Sequence, residues 1–332
     1  MKKLLAVLLA LTLLLALAVP GLAQEAALRV AVVLSGSLGD RSFYDSANAG
    51  LQALLAEYPD QISGSVIECK NDASMFTTNL ISAAEQNDVV VAVGWEFWDA
   101  LTEYVPQMPE TKFIFIDNGL DGVGDNLLSI TYAQNEGSFL VGYIAAKLSQ
   151  TGKIGAVGGE DADTINDFIV GYEAGAQYAN PQIQCLRQYA GTYDDPAKGK
   201  ENALALYDMG CDVVFQIASR TGEGVFEAAE ETGNYAIGVD SDQKYINPQV
   251  IVCSMVKEVG KSIQSAVSAL LLEGEFAGGT IWEADMATGF IDVAYGDDTM
   301  PQQVSDELKA EVEAIKQDII SGAIQVPSVF ED

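Results

Sequence analysis

Polar and aromatic residues recur in this chain at one kind of place, just past a short apolar run. Leu28 to Leu34 is followed by Ser35-Gly36-Ser37-Leu38-Gly39-Asp40, and the run at 88–93 by Gly94-Trp95-Glu96-Phe97-Trp98. Asp117-Asn118, Gly159-Glu160-Asp161, Ala218-Ser219-Arg220-Thr221-Gly222 and Asp240-Ser241-Asp242 follow four further runs. Acids in such clusters can work in pairs as general acid and base, or they can accept hydroxyl and N–H donors from a bound molecule. Asp240 and Asp242 are spaced for the first role, but its usual companions are missing. The chain has no histidine. That removes the commonest base and metal ligand and any Ser-His or Cys-His pair. No Gly-x-Ser-x-Gly elbow is present, and Gly152, Gly155, Gly158 and Gly159 do not match a dinucleotide fingerprint. Cys69, Cys185, Cys211 and Cys253 show neither a CxxC nor zinc spacing. They read as buried thiols, with Cys185 and Cys211 the best candidates for a disulfide if a pair oxidises. No catalysis, metal or cofactor is expected.

The elements that position these clusters alternate. Short β-branched runs predict strands over 28–34, 62–69, 88–93 and 112–116, separated by amphipathic helices over 42–58, 74–86 and 96–105. One unit ends near Tyr132. A second starts with a helix over 136–149, then strands 153–158, 183–189, 212–217 and 235–239 with helices 166–179, 196–209 and 222–232 between them. Strand 249–254, a helix near 257–273, two short strands within 281–295 and a helix over 303–321 complete the chain. Near-continuous apolar strands alternating with helices imply an α/β fold of two doubly wound parallel sheets, each covered on both faces. Ligands of such sheets sit outside the carboxyl ends of the strands, where all six clusters lie.

Composition narrows the partners. The chain carries 48 Asp and Glu against 17 Lys and Arg, a formal net charge of −31. Such a surface repels nucleic acid and anionic lipid. Lys2 and Lys3, the apolar run Leu4 to Val19 and Pro20-Gly21-Leu22-Ala23 have the anatomy of a signal peptide cut after Ala23. Gln24 follows, and no cysteine precedes Cys69, so lipid attachment is not expected. The mature chain is expected to be exported, periplasmic or extracellular, and monomeric.

Four blocks carry a family resemblance: GDRSFYDSANAGL (39–51), NEGSFLVGYIAAKLSQTGKIGAVGGED (135–161), DDPAKGKENALALYDMGCDVVFQIASRTGEGVFEAA (194–229) and YAIGVDSDQKYINP (235–248). In this order they resemble the basic membrane protein family, purine-nucleoside-receptor-like substrate-binding components of ABC importers. The resemblance implies a type I periplasmic-binding-protein fold whose chain crosses three times between lobes. It places 24–133 and about 256–280 in lobe 1, 134–255 and about 281–332 in lobe 2, and a ligand cleft between them. It also implies a nucleoside-like ligand, stacked on aromatic rings with its hydroxyls held by acids and a lysine, and an ABC permease as partner. Carried over by position, Asp117 and Asp240 face each other across the cleft and Lys257 stands at the second crossover. Asp40, Ser42, Phe43 and Tyr44 occupy the first loop and helix start, where backbone N–H groups can bind an acceptor.

The chain departs from that pattern in three places. Gly39 and Tyr44 replace an acid and an asparagine in the first loop. Ser219, Arg220 and Gly222 stand where the family commonly has a run of small residues, and Arg220 is free either to pair with Glu223 or Asp242 or to touch the ligand. Trp95 and Trp98 add aromatic surface. A free purine, a flavin or another heterocycle therefore stands beside a nucleoside as ligand. A sensor subunit docking on a receptor and, more remotely, a nucleoside-processing enzyme are the competing functions.

Overall fold

The computed structural model describes residues 27–330. The signal peptide expected over 1–23 lies outside them. Strands β1 (Leu28–Leu34), β2 (Ile62–Glu68), β3 (Val89–Val93), β4 (Lys112–Ile116) and β5 (Leu127–Tyr132) join β11 (Thr280–Ala284) in one six-stranded sheet. Its order is β11-β5-β4-β3-β1-β2, and every pairing is parallel. The second sheet holds β6 (Lys153–Gly158), β7 (Gln184–Tyr189), β8 (Val213–Ile217), β9 (Tyr235–Asp240), β10 (Ile251–Lys257) and β12 (Ile291–Ala294). It runs β12-β10-β9-β8-β6-β7, parallel except for β12, which lies antiparallel on β10.

The helices follow from where apolar surface has to be covered. In β3, all five residues of the run VVVAV are fully buried, as a strand covered on both faces requires. Helices α1 (Phe43–Glu57) and α8 (Val259–Glu273) pack together on one face of the first sheet, and α2 (Ala73–Gln86) and α3 (Trp98–Tyr104) cover the other. In the second lobe α4 (Gln134–Leu148) and α5 (Asp163–Ala179) form the inner pair, and α6 (Pro196–Asp208) and α7 (Glu223–Thr232) the outer pair. Helix α9 (Asp306–Ile320) docks on α4. One apolar cluster runs from β1 and α1 through α4, α5 and β10 to α9, so the two lobes share a core.

The chain passes between the sheets three times: at Ala133, at Glu258 and over 285–290. The last differs from expectation. The boundary near 280 assigned both late strands to the second lobe, but β11 pairs with β5 in the first sheet. A five-residue strand with mostly exposed side chains carries no pattern that says which sheet it joins. β5, not anticipated as a separate strand, is the partner that captures it. The cysteines are a second difference. All four are free thiols. β7 and β8 follow each other in sequence, but β6 lies between them in the sheet. Two strand spacings are roughly 10 Å, whereas a disulfide needs Cα atoms within about 7 Å.

Helices α4 and α5 approach backbone to backbone. A Cβ on Gly142 would lie 2.0 Å from the Tyr172 carbonyl oxygen, and one on Gly175 would lie 1.9 Å from that of Phe139. Gly175→Ala should therefore force the pair apart and cost about 1–3 kcal/mol. The check is thermal unfolding, where the variant melts several degrees below the parent; an unchanged midpoint would contradict the close packing.

Candidate functional site

The carboxyl ends of both sheets face one another, and the residues just past the strands meet in the gap. Lys257, the last residue of β10, is 2% exposed and is the centre of the site. Its Nζ donates to Asp117 Oδ1 at 2.6 Å and lies 3.9 Å from Asp240 Oδ1. The rings of Phe43, Phe168 and Tyr132 surround the ammonium at 4.9, 4.9 and 5.3 Å. A buried ammonium needs this degree of compensation, by charge and by ring faces. Burial pushes the Asp240 carboxyl above its ordinary value, with Lys257 and Ser42 pulling it back.

Backbone conformation aims these groups. Asp117, Ser219 and Asp240 have φ of +81°, +49° and +62°, all in the left-handed region that side chains other than glycine rarely enter. Each sits where a strand has just ended, and the reversed backbone turns its side chain into the gap. Strain concentrated at three facing strand ends marks a site held for a purpose other than stability.

A second layer ties the lobes together. Ser42 Oγ donates to Asp240 Oδ2 at 2.5 Å, and Ser219 Oγ donates to Asp40 Oδ2 at 2.9 Å. Gln243 Nε2 reaches the Arg41 carbonyl at 3.1 Å. Asp40 also accepts the backbone N–H groups of Ser42, Tyr44 and Asp45, capping α1 from two residues before Ser42. Burial lifts its carboxyl to about 6, against the pull of those amides and of Ser219.

The gap itself holds a cavity of about 60 Å³ between the lobes. Of the residues singled out from the sequence, Phe43, Tyr44, Trp95, Asp117, Ser219, Asp240 and Lys257 line it. Asp40 and Ser42 stand behind that lining as the ties just described. Three do not belong. Trp98 is 40% exposed on α3 and packs edge-on against Phe115 at the outer face of the first sheet. Arg220 points outward to Asp194 at 2.9 Å, and so pairs with neither Glu223 nor Asp242. Glu223 faces Arg41 at 3.6 Å, and Asp242 accepts the N–H groups of Lys244 and Gly296. Gly222 is buried, and its missing Cβ leaves room for the Gln216 amide.

The lining also includes residues not anticipated: Glu96, Thr164, Ile165, Phe168 and Tyr193. Phe168 lies within a helix whose periodicity reads as core. Tyr193 follows β7, an edge strand with no marked cluster after it. Glu96 stands inside the cluster after β3, where nothing in its spacing sets it apart from the other acids of the chain. Burial pushes the Glu96 carboxyl up to about 7, with its own backbone amide and Ser35 pulling the other way. Among the described residues no group of three or more metal-ligating side chains is arranged to hold an ion, and no helix is long and apolar enough to cross a membrane.

A family model described as ABC transporter substrate-binding protein PnrA-like matches residues 27–329, the whole of the described chain but its last residue. The chain belongs to the Bmp family. The Bmp relatives include Basic membrane protein A2 of Borrelia garinii, 33% identical over 304 residues, covering 90% of this chain and 88% of that one. The ABC transporter nucleoside-binding protein BmpA of Lactococcus lactis is 35% identical over 321 residues, covering 91% and 89%. Among solved structures, an ABC transporter solute-binding protein of Aeropyrum pernix superposes with a TM-score of 0.82 at 26% identity, over 92% of this chain and 94% of that one. A myo-inositol-binding protein of Caulobacter, at TM-score 0.63 and 15% identity, shares the fold. The architecture is thus that of the type I periplasmic binding proteins. The Bmp family consists of substrate-binding proteins rather than enzymes; such proteins hold small molecules and work with membrane permeases. Despite the family's name, this member is strongly acidic.

Lys257→Met should leave Asp117 and Asp240 buried without their counter-ion. Breaking a buried pair in this way costs about 3–5 kcal/mol. Denaturant unfolding monitored by circular dichroism measures the loss, and a midpoint equal to the parent's would show that the ammonium is not needed.

Proposed function

We propose that this Bmp protein is an exported solute-binding component of an ABC importer that closes its lobes on a purine nucleoside or a similar flat, hydroxylated heterocycle. The observation that carries the reading is the buried Asp117–Lys257–Asp240 set, drawn from both lobes and flanked by Phe43 and Phe168. Two carboxylates and an ammonium can hold vicinal hydroxyls by charge-assisted bonds, and the two rings offer faces for a planar base. The nucleoside-binding relative from Lactococcus supports the same assignment. The charge of −31 agrees with a protein that avoids nucleic acid and meets only the small molecule. No hydrolysis is assigned to the site, because the Bmp family consists of substrate-binding proteins.

Isothermal titration with a panel of nucleosides should give one-to-one binding, and Asp240→Asn should weaken it about a hundredfold by removing one charged acceptor. A panel without any heat of binding would sink the reading.

Closure also has a proton balance. In the closed form Glu96 and Asp40 stand at about 7 and about 6, whereas solvated carboxyls titrate near 4. The closed form therefore binds more protons than an open one, so acidification favours ligand-free closure and pH above 7 opposes it. Small-angle scattering of ligand-free protein should show a more compact particle at pH 5 than at pH 8. Equal radii at the two values would contradict the linkage.

A further inference from the structure

The cavity does not treat its two ends alike. Asp117, Asp240 and Lys257 close the end formed by β4, β9 and β10. The opposite end is formed by residues past β1, β3 and β7: Tyr44, Trp95, Glu96 and Tyr193. Here two polar atoms are sealed from solvent without a hydrogen-bond partner, Glu96 Oε2 and the Tyr193 hydroxyl. Ser35 pulls the Glu96 carboxyl down and its hydroxyl also bonds with that of Tyr44 at 3.0 Å, with either oxygen able to donate. Tyr44 is thereby committed, and no lysine or arginine lines this end. Ser35 is the side-chain donor near Glu96 Oε2 and makes no well-aligned bond to it, so a carboxylate oxygen kept this poorly satisfied beside a cavity points to donors arriving with the ligand.

We propose that Glu96 reads the edge of the bound ring, so that the cleft selects a heterocycle presenting two adjacent N–H donors, the guanine-type edge, over one presenting a ring-nitrogen acceptor. This rests on the nucleoside reading above and gives it a base preference. An ionised carboxylate accepts two parallel N–H groups, as it does from the guanidinium fork. The ring N–H and the amino group beside it on a guanine form such a pair, and the Tyr193 hydroxyl can donate to a ring carbonyl. On an adenine the ring nitrogen at the same place carries a lone pair, which faces the carboxylate and is repelled. A hypoxanthine offers one N–H, and falls between. The polar atoms assigned to the sugar lie at the other end of the cavity, so base choice and hydroxyl binding separate by residue. Ligand donors would also draw the Glu96 carboxyl back down from its raised value, which favours binding in the ionised form.

The test is calorimetry at pH 8 with guanosine, inosine and adenosine against the full mature chain and its Glu96→Gln variant. The wild type should bind guanosine about thirtyfold tighter than adenosine, with inosine between. Glu96→Gln should erase that order, because the amide offers one acceptor and one donor: guanosine weakens about thirtyfold while adenosine holds or tightens. Equal affinity of the wild type for guanosine and adenosine, or a variant that shifts both by the same factor, overturns the proposal and leaves the nucleoside reading standing. No binding of any of the three, by a wild type that is folded by circular dichroism, overturns both. If the variant does not fold, the wild-type order among the three ligands decides.

Discussion

An ammonium group removed from water has to be neutralised locally, and much of this structure is arranged around doing that for Lys257. The residue ends a buried strand of the second sheet, one residue before the chain crosses back to the first. Its nearest carboxylate, Asp117, belongs to the opposite lobe, and its other, Asp240, belongs to its own. The ion pair is therefore also a clasp. Phe43 from α1 and Phe168 from α5 bring rings from the two lobes to the same charge, each 4.9 Å from it. Desolvating such a set is expensive and adds little net stability, which is why the proposed function rests on it.

The clasp works because two similar sheets present their carboxyl ends to each other. Parallel strands bring every strand-end loop to the same edge, and two facing edges make a cleft with both walls built from the same kind of turn. Positive φ at Asp117, Ser219 and Asp240 points those side chains inward. The hydrogen bonds Ser42–Asp240 and Ser219–Asp40 then link the walls directly. Arg220 and Trp98 occupy the same turns one residue or one helical turn away and face outward, which shows how sharply a strand-end turn divides cavity from surface.

The two ends of the cavity divide the chemistry. One is charged and fully paired within the protein. The other holds sealed atoms of Glu96 and Tyr193 that the protein leaves unpaired. A cavity with one end satisfied and the other poorly satisfied has a direction, and it is this asymmetry on which the proposed base preference rests.

The sequence by itself determined the alternation of strand and helix, the two sheets and the edge on which any ligand must lie. Those follow from local periodicity and from the handed, parallel logic of βαβ units, which act over a few residues. Seven of the twelve residues read as contacts line the cavity because they lie at a strand's carboxyl end, in the turn after it or at the start of the helix that follows, where position along the chain and position in the fold coincide. Only the tertiary structure decided the rest. β11 joined the first sheet, and β6 came between the strands carrying Cys185 and Cys211, because strand order is set by packing of whole units. Phe168 became a cleft wall because α5 turns that face of its buried stripe toward Lys257. Glu96, one acid among many along the chain, acquired its character only when the fold removed it from water, and burial of a charge is a property of the assembled fold.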